Sequence, residues 1–265
     1  VPLLTTSATA TAVTVDPNSG KTRDWIFRTC FIDPFQGVVG ADFAYNDLQA
    51  RTAAMLVDST NDYSKGLAAA FKQEFEKLGG QVIAEQGFVK DDQDFRAILS
   101  SFRGQKPDLI YAPAYYDKVG IIVSQARELG MNMPILGGDG WDSPDLVKIA
   151  GAEALNNTFF TNHYSSQDTD PKVQSFVKAY AAKYGDEPDG FAALGYDAVY
   201  LLTDAIKRAG AADPAKIRDA LAGTKDFQAV TGTLTIDEQH NPVKAAVILE
   251  MKDGTQTFRT KVQPQ

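Results

Sequence analysis

The chain has 265 residues, of which 44% are hydrophobic and 23% are charged. This apolar content is enough for a hydrophobic core and excludes intrinsic disorder, because disordered chains are poor in aromatic and β-branched residues. The formal net charge is −8, from 26 basic and 34 acidic residues. An acidic chain repels phosphate backbones, so nucleic acid is not expected as a partner. No stretch approaches the roughly 20 apolar residues of a membrane-spanning helix.

One cysteine, Cys30, and two distant histidines, His163 and His240, limit the possible chemistry. A single thiol cannot form an intrachain disulfide, and this composition disfavours a zinc site or another metal centre. The low cysteine content fits the cytosol as well as the periplasm. The chain starts at Val1 without a basic segment or a cleavage motif, which indicates a mature product or a fragment. We expect no cofactor and no metal.

Residues 1–32 predict two strands, at 1–5 and 25–29, on either side of a loop rich in Thr, Ser and Ala. From residue 52 to 141, short apolar runs alternate with amphipathic segments, which is typical of βαβ units and a parallel sheet. Strands are predicted at 53–57, 81–84, 109–111 and 134–136, with helices at 64–78, from 94, and from 117 to 130. Because crossovers between parallel strands are right-handed, this region predicts a doubly wound sheet with helices on both faces.

The rest of the chain predicts more helices and a β-rich tail. Helices are predicted at 144–150, 171–184, 191–209 and 214–222, and strands at 158–161, 232–236, 243–251 and 257–262. The last three strands alternate in polarity and are separated by turns, which indicates antiparallel pairing. Earlier in the chain, the run Asp33-Pro34-Phe35-Gln36 predicts a capping box, in which the Gln36 side chain bonds back to the start of its own helix.

Ligands bind beyond the carboxyl ends of the strands in a doubly wound sheet. The residues at those positions are Ser7 and Thr9, the segment 58–63 with Asp58 and Tyr63, the segment 114–116 with Tyr115, and Asp139 with Trp141. Hydroxyls can hold a carboxylate, an acid can hold an ammonium and rings can enclose the rest, so this set suits a small zwitterion. It contains neither a nucleophile–base pair nor a metal-binding cluster.

Plainer roles stay open for each of these residues. The hydroxyl residues suit an ordinary loop, the tyrosines suit the core, and Asp139 suits a turn because Asp and Gly favour turn conformations. An enzyme also stays open, since Asp58-Ser59-Thr60 after a strand is similar to an aspartyl-phosphate loop, although Thr60 stands where a second Asp is usual. Phosphate-binding and dinucleotide-binding glycine motifs and a serine elbow are missing from the sequence.

Four stretches of the chain, taken in order, carry a family likeness. They are Arg28-Thr29-Cys30 followed by Asp33 and Gln36-Gly37, then Tyr63-Ser64-Lys65-Gly66-Leu67, then Gly137-Gly138-Asp139-Gly140, and the run from Phe191 to Asp197. In this combination the chain resembles the periplasmic leucine/isoleucine/valine-binding proteins, the type I solute-binding components of amino-acid ABC transporters. The resemblance covers essentially the whole chain.

The resemblance implies an α/β fold of two lobes, each a doubly wound parallel sheet, that close on a ligand by hinge bending. Residues 1–32 and 164–247 would form the N-terminal lobe, and residues 33–163 and 248–265 the C-terminal lobe. Family members begin with further βα units before the segment that corresponds to Val1. The N-terminal lobe is therefore expected to be incomplete in this chain, which would lack roughly 100 N-terminal residues.

The resemblance also assigns roles to site residues, position by position. The ligand-binding residues implied in this way are Ser7, Thr9, Tyr63, Tyr115, Asp139, Trp141 and Phe191. The first two would hold the ligand carboxylate, Asp139 would bind its ammonium, and the tyrosines and Phe191 would surround the side chain. Asp139 is shorter than the Glu usual in leucine binders, and Trp141 is bulkier than the usual residue. The ligand is therefore expected to be a branched-chain or a small or polar aliphatic amino acid.

The implied function is that of the substrate-binding component of an ABC importer, which is not an enzyme. Its partners would be an amino acid and a permease in the membrane. The protein is expected to be a monomer, in the periplasm or lipid-anchored outside the cytoplasmic membrane. Two alternatives remain, namely a hydrolase or phosphotransferase that uses Asp58 and the ligand-sensing domain of a receptor.

Overall fold

The computed structural model describes residues 1–264, and the chain divides into two units. Unit 1 contains residues 1–32, 163–247 and the segment from Lys261 on, and unit 2 contains residues 33–162 and 248–260. The chain therefore passes from one unit to the other after residues 32, 162, 247 and 260. The lobe boundaries implied by the resemblance put His163 and residues 261–265 in the other lobe. The identity of the units as lobes stays a prediction.

The elements are numbered along the chain. The strands are β1 (Leu3–Thr5), β2 (Ile26–Arg28), β3 (Thr52–Asp58), β4 (Gln81–Phe88), β5 (Leu109–Tyr111), β6 (Ile135–Gly137), β7 (Thr158–Asn162), β8 (Phe227–Ala229), β9 (Gly232–Ile236), β10 (Pro242–Val243), β11 (Ala246–Lys252) and β12 (Thr255–Val262). The α-helices are α1 (Asp33–Asp42), α2 (Asp62–Lys77), α3 (Arg96–Gln105), α4 (Tyr116–Glu128), α5 (Pro144–Ala150), α6 (Pro171–Tyr184), α7 (Gly190–Ala209) and α8 (Pro214–Ala222).

A seven-stranded sheet runs through unit 2, with strand order β12-β11-β7-β6-β5-β3-β4. The strands from β3 to β7 are parallel, which confirms the parallel sheet predicted for this region. Strands β3, β5, β6 and β7 are almost wholly buried, as expected when helices cover both faces of a parallel sheet. Because these strands point the same way, the loops after β3, β5 and β6 lie at one edge of the sheet.

Helices α1 and α2 of unit 2 approach each other closely because small residues lie where they meet. A Cβ atom on Gly37 would lie 2.5 Å from the Cβ atom of Ala70, so a larger residue would force the helices apart. Asn61 caps α2 by accepting a hydrogen bond from the Tyr63 N–H. Tyr63 is therefore fixed in the first turn of α2, directly after the loop that follows β3.

In its described residues, unit 1 contains two small sheets and three α-helices. Strands β1 and β2 form a parallel pair, and β8, β9 and β10 form an antiparallel sheet. Side chains of α7 and α8 pack with strand residues in one buried cluster that includes Phe27, Leu201, Leu221 and Leu234. Over residues 1–264, no helix is both long enough and apolar enough to cross a membrane.

Two details of the tail differ from the sequence prediction. Strand β8 was not predicted, because its three residues carry no alternating pattern long enough to detect. The predicted strand at 243–251 is interrupted at Lys244 and Ala245, between β10 and β11. The interruption is needed because β10 pairs with β9 in the antiparallel sheet, whereas β11 joins the seven-stranded sheet.

The predicted capping box at the start of α1 is wrong. The helix begins at Asp33, but the hydrogen bonds of the Gln36 side chain go to Asp139 and Thr161 and not back to its own helix. Gln36 is fully buried, and a buried amide is stabilised most where several polar groups can satisfy it. These partners are more than 100 residues away in sequence, so local spacing cannot reveal them.

Candidate ligand-binding site

Asp139 lies at the carboxyl end of β6, in a short 3-10 turn that comprises Asp139–Trp141. None of the neighbouring glycines, Gly137, Gly138 and Gly140, has a positive φ, so these positions do not require glycine for backbone conformation. Glycine is needed at these positions because neighbouring atoms leave no room for a side chain. A Cβ atom on Gly137 would overlap the Trp141 indole. The turn is therefore built so that other side chains can approach its backbone.

Gly138 is enclosed by side chains from two helices. A Cβ atom at this position would overlap Oε1 of Gln36 and would lie 2.5 Å from the Tyr63 hydroxyl oxygen and 2.6 Å from Cδ2 of Leu67. These side chains come from α1 and α2 and press on the same point of the turn. The Gly-Gly-Asp-Gly run is therefore explained by the close approach of side chains to the residue before Asp139.

Gln36 holds Asp139 by two hydrogen bonds. Its Oε1 atom accepts from the Asp139 backbone N–H at 2.7 Å, and its Nε2 atom donates to Oδ1 of Asp139 at 3.0 Å. Oε1 also accepts from the Thr161 hydroxyl at 2.6 Å. Gln36 and Thr161 are almost fully buried, and Asp139 is 3% exposed. One amide therefore links α1, the turn after β6 and the end of β7.

Two tyrosines complete this side of the site in unit 2. The Tyr63 hydroxyl oxygen accepts from the Gly140 N–H at 3.1 Å, and the rings of Tyr63 and Tyr115 are stacked with centroids 5.2 Å apart. Burial, with a further contribution from Asp139, raises the pKa of Tyr63 well above its ordinary value and raises the pKa of Tyr115. Both phenols are therefore neutral at pH 7, and Tyr115, which is 41% exposed, presents the more accessible ring.

One further carboxyl group, that of Asp33, lies near the ring of Tyr63. Asp33, in the first turn of α1, is buried, and its charge adds to the raised pKa of Tyr63 and of Tyr111. A Cβ atom on Gly66 would lie 3.2 Å from Oδ2 of Asp33. The surroundings of Asp139 therefore carry acidic side chains and neutral phenols.

The carboxylate of Asp58 is engaged in its own loop. Its Oδ1 atom accepts from the backbone N–H and the hydroxyl of Thr60, at 2.9 and 2.6 Å, and its backbone N–H donates to the Ser64 hydroxyl. Thr60 stands where an aspartyl-phosphate loop usually has its second acid. Within residues 1–264, no group of three or more His, Cys, Asp or Glu residues is arranged to hold a metal ion.

The loop with Ser7 and Thr9 belongs to unit 1 and follows β1. Arg28, which is fully buried at the end of β2, donates from Nη1 to the Ala8 carbonyl at 2.6 Å and from Nη2 to the Ala10 carbonyl at 3.0 Å. The planar guanidinium thus fixes the backbone on both sides of Thr9. A buried positive charge is therefore in contact with the backbone of this loop.

The other two expected site residues, Phe191 and Trp141, differ in their exposure. Phe191 lies in the first turn of α7 in unit 1 and is partly exposed. Trp141 is fully buried within unit 2, where its Nε1–H donates to the Ala112 carbonyl at 3.1 Å and its ring lies near Phe160. Trp141 therefore packs beneath the turn that carries Asp139.

Gln36 and Arg28 were not among the expected site residues, although both stand in the stretches that carry the family likeness. A signal for Gln36 does exist in the sequence. Asp33, Gln36, Gly37 and Gly40 recur at helical spacing and form a buried face of α1, where apolar residues are the rule. A polar residue on such a face indicates a buried partner, but it does not identify that partner.

A family model described as periplasmic binding protein matches residues 1–256. The chain therefore belongs to the periplasmic binding protein family, and its α/β fold matches that of the type I members.

Solved structures with the same fold include the leucine-binding protein LivK from Thermotoga maritima, with a TM-score of 0.93 and 41% identity. Another is LivJ from Streptococcus pneumoniae in complex with isoleucine, with a TM-score of 0.90 and 37% identity. Each match covers 100% of this chain and 73% of the solved chain.

A curated relative is the leucine-, isoleucine-, valine-, threonine- and alanine-binding protein of Pseudomonas aeruginosa. It is 30% identical over 237 residues, which make up 89% of this chain and 61% of that protein. The chain spans about three-fifths of the length of the curated relatives it matches.

Proposed function

We propose that the protein to which this chain belongs is the substrate-binding component of an ABC importer and that it binds an amino acid without transforming it. The observation that carries the proposal is the buried Asp139 side chain, held by Gln36 at the carboxyl end of β6 and close to Tyr63. A carboxylate among neutral phenols suits the binding of an ammonium group. The amino-acid-binding relatives support the same class of ligand.

Each site residue has a role in this proposal. Asp139 binds the α-ammonium group, while the Ser7 and Thr9 loop binds the α-carboxylate through its hydroxyls and backbone N–H groups. The buried Arg28 charge favours an anion at that loop. The rings of Tyr63, Tyr115 and Phe191 surround the ligand side chain.

The ligand is proposed to be a branched-chain or a small or polar aliphatic amino acid. Asp139 is one methylene shorter than a glutamate, so the ligand ammonium must approach the turn more closely. Trp141 is proposed to support the turn by packing against its backbone, since its indole lies against Gly137. It supports the position of Asp139 and does not contact the ligand.

The proposed partner is a permease in the membrane, which recognises the ligand-bound form. This places the protein outside the cytoplasmic membrane, as the family description and the relatives support. We further propose that the protein acts as a monomer, either free in the periplasm or attached to a lipid.

A thermal-shift panel on the whole protein tests the proposed function. The ligands are glycine, the nineteen standard L-amino acids and γ-aminobutyrate. A ligand at 100 times its Kd raises Tm by roughly 5–10 °C for a protein of this size. We expect such a shift with a few aliphatic amino acids. A folded protein whose Tm responds to none of these compounds would contradict the proposal.

Two variants locate the ammonium site. Asp139→Ala should abolish the ligand-induced shift and leave a folded protein. Asp117→Asn serves as the matched control, because Asp117 is an exposed acid in the first turn of α4 in the same unit. Unchanged affinity in the Asp139 variant would refute the assignment of Asp139.

A further inference from the structure

The hydrogen bonds of Gln36 fix the orientation of its amide. A backbone N–H can only donate, so the atom that faces the Asp139 N–H at 2.7 Å must be the amide oxygen. The Thr161 hydroxyl donates to the same oxygen at 2.6 Å. The amide nitrogen consequently faces Oδ1 of Asp139, at 3.0 Å. Rotation of the amide by 180° would bring two donors together and lose these bonds.

This arrangement determines where the Asp139 carboxylate points. The backbone of the residue and one of its carboxylate oxygens are bound to the same rigid, planar group. Tyr63 holds the next backbone N–H, that of Gly140. These bonds fix the carboxylate relative to the turn, and such preorganisation lowers the entropic cost of binding.

The neutrality of the amide is also important. A lysine or arginine at position 36 would form an ion pair with Asp139 and would compete with a cationic ligand group. A neutral donor orients the carboxylate and leaves its charge in place. A glutamine is therefore suited to hold an acid whose task is to bind an ammonium group.

We propose that Gln36 is a positioning residue that directs the Asp139 carboxylate towards the ammonium group of the ligand, and that Thr161 sets the orientation of the Gln36 amide. This inference rests on the proposed function, because it requires an ammonium-bearing ligand at Asp139. Neither residue needs to contact the ligand.

The test compares ligands with and without an ammonium group. Calorimetric affinities are measured for L-leucine and L-alanine, and for their 2-hydroxy-acid analogues, with the wild-type protein and the variant Gln36→Met. Methionine has a similar length and no hydrogen-bonding amide. We expect the affinity for the amino acids to fall about 10- to 100-fold, as for the loss of a hydrogen bond to a charged group. The affinity for the hydroxy acids should change less than about threefold.

The ratio of the two affinities separates positioning from a structural effect. A general disturbance of the site would weaken both kinds of ligand in the same proportion, and that result, or no change for either ligand, would overturn the proposal. Gln105→Met is the matched control, because Gln105 is an exposed glutamine at the end of α3. The control should behave as the wild type does.

A second variant tests the inference if Gln36→Met does not fold. Thr161→Val removes the hydroxyl that donates to the amide oxygen and keeps the shape of the side chain. It should lower the ratio of amino-acid to hydroxy-acid affinity by about 3- to 10-fold, and an unchanged ratio would overturn the proposal. Wild-type protein that binds no amino acid would instead refute the proposed function itself.

Discussion

The Ser7–Thr9 loop of unit 1 and the Asp139 turn of unit 2 are both held by one long, fully buried side chain. In unit 1 it is Arg28, which carries a charge and donates to backbone carbonyls. In unit 2 it is Gln36, which is neutral and both accepts and donates. The loop of unit 1 thus lies over a buried cation, whereas the turn of unit 2 retains the charge of its own acid. The comparison indicates that each residue fixes its segment, but Arg28 adds a positive charge whereas Gln36 leaves the negative charge of Asp139 in place.

The largest expected effect comes from the removal of Arg28. Arg28→Met leaves the carbonyls of Ala8 and Ala10 and the Thr14 hydroxyl without the guanidinium donor. Because unsatisfied buried groups are costly, the free energy of unfolding should fall by about 3 kcal/mol or more. Urea denaturation of the whole protein measures this loss in the free energy of unfolding.

The control for this variant is Arg23→Met, which removes a surface ion pair with Asp16 in the same unit. It should change the free energy of unfolding by less than about 1 kcal/mol. Equal losses for the two variants would show that the buried hydrogen bonds of Arg28 do not stabilise the loop more than a surface ion pair stabilises its surroundings.

The second effect concerns the other buried cation of unit 1, Lys244. Burial lowers the pKa of Lys244 to about 8, against about 10.4 for lysine in an unfolded chain. Between pH 8 and about 10.4, Lys244 is more protonated in the unfolded state than in the folded state. The free energy of unfolding therefore increases as the pH rises through this range. This contribution of Lys244 is on the order of 3 kcal/mol.

Denaturation of the wild type and of Lys244→Met across this pH range isolates that contribution. The difference between the two proteins should shift in favour of the wild type as the pH rises. Lys216→Met, a change at an exposed lysine of unit 1, should give a difference that is independent of pH. Parallel curves for wild type and Lys244→Met would contradict the prediction.

Gly138→Ala, a change in unit 2, should lower the free energy of unfolding by a smaller amount. The added methyl group would overlap Oε1 of Gln36 and would lie within 2.6 Å of Leu67, which should cost about 1–3 kcal/mol. It should also weaken ligand binding, because Gln36 must move away from Asp139. Gly104→Ala is the control, since a Cβ atom there meets no neighbour within 4 Å, and a helical Gly→Ala change should stabilise by about 0.5–1 kcal/mol.

The smallest effect should distinguish the two stacked tyrosines. Tyr63→Phe removes the acceptor of the buried Gly140 N–H and should lower the free energy of unfolding by about 1–2 kcal/mol. Tyr115→Phe changes a residue that is 41% exposed and should stay within about 0.5 kcal/mol. Thermal unfolding of both variants measures the difference, and a reversed order would show that Tyr63 is not the ring that supports the turn.

The parallel sheet of unit 2 could be predicted because its strands are short apolar runs between amphipathic helices, a pattern that depends only on local spacing. The position of Asp139 followed from the same reasoning, since it comes directly after β6. The partners of Asp139 could not be predicted in this way. Gln36 is 103 residues distant from Asp139 in sequence, and its nearest pattern indicated a helix cap.

The loop of unit 1 was harder to interpret for the same reason. Ser7 and Thr9 have no local feature that separates them from other loop hydroxyls, and the residue that fixes them, Arg28, belongs to the next strand. Its spacing to Ala8 depends on the parallel pairing of β1 with β2. Long-range polar contacts of this kind require the fold before they can be assigned.

The two tryptophans of the chain provide an optical reporter for each unit. Trp25 of unit 1 is 38% exposed, whereas Trp141 of unit 2 is fully buried two residues after Asp139. An indole in water emits at longer wavelengths than one in an apolar interior, so their fluorescence spectra should be separable. Within this chain, Trp25→Phe would leave Trp141 as the emitting indole, and its emission would follow any change in the turn that carries Asp139.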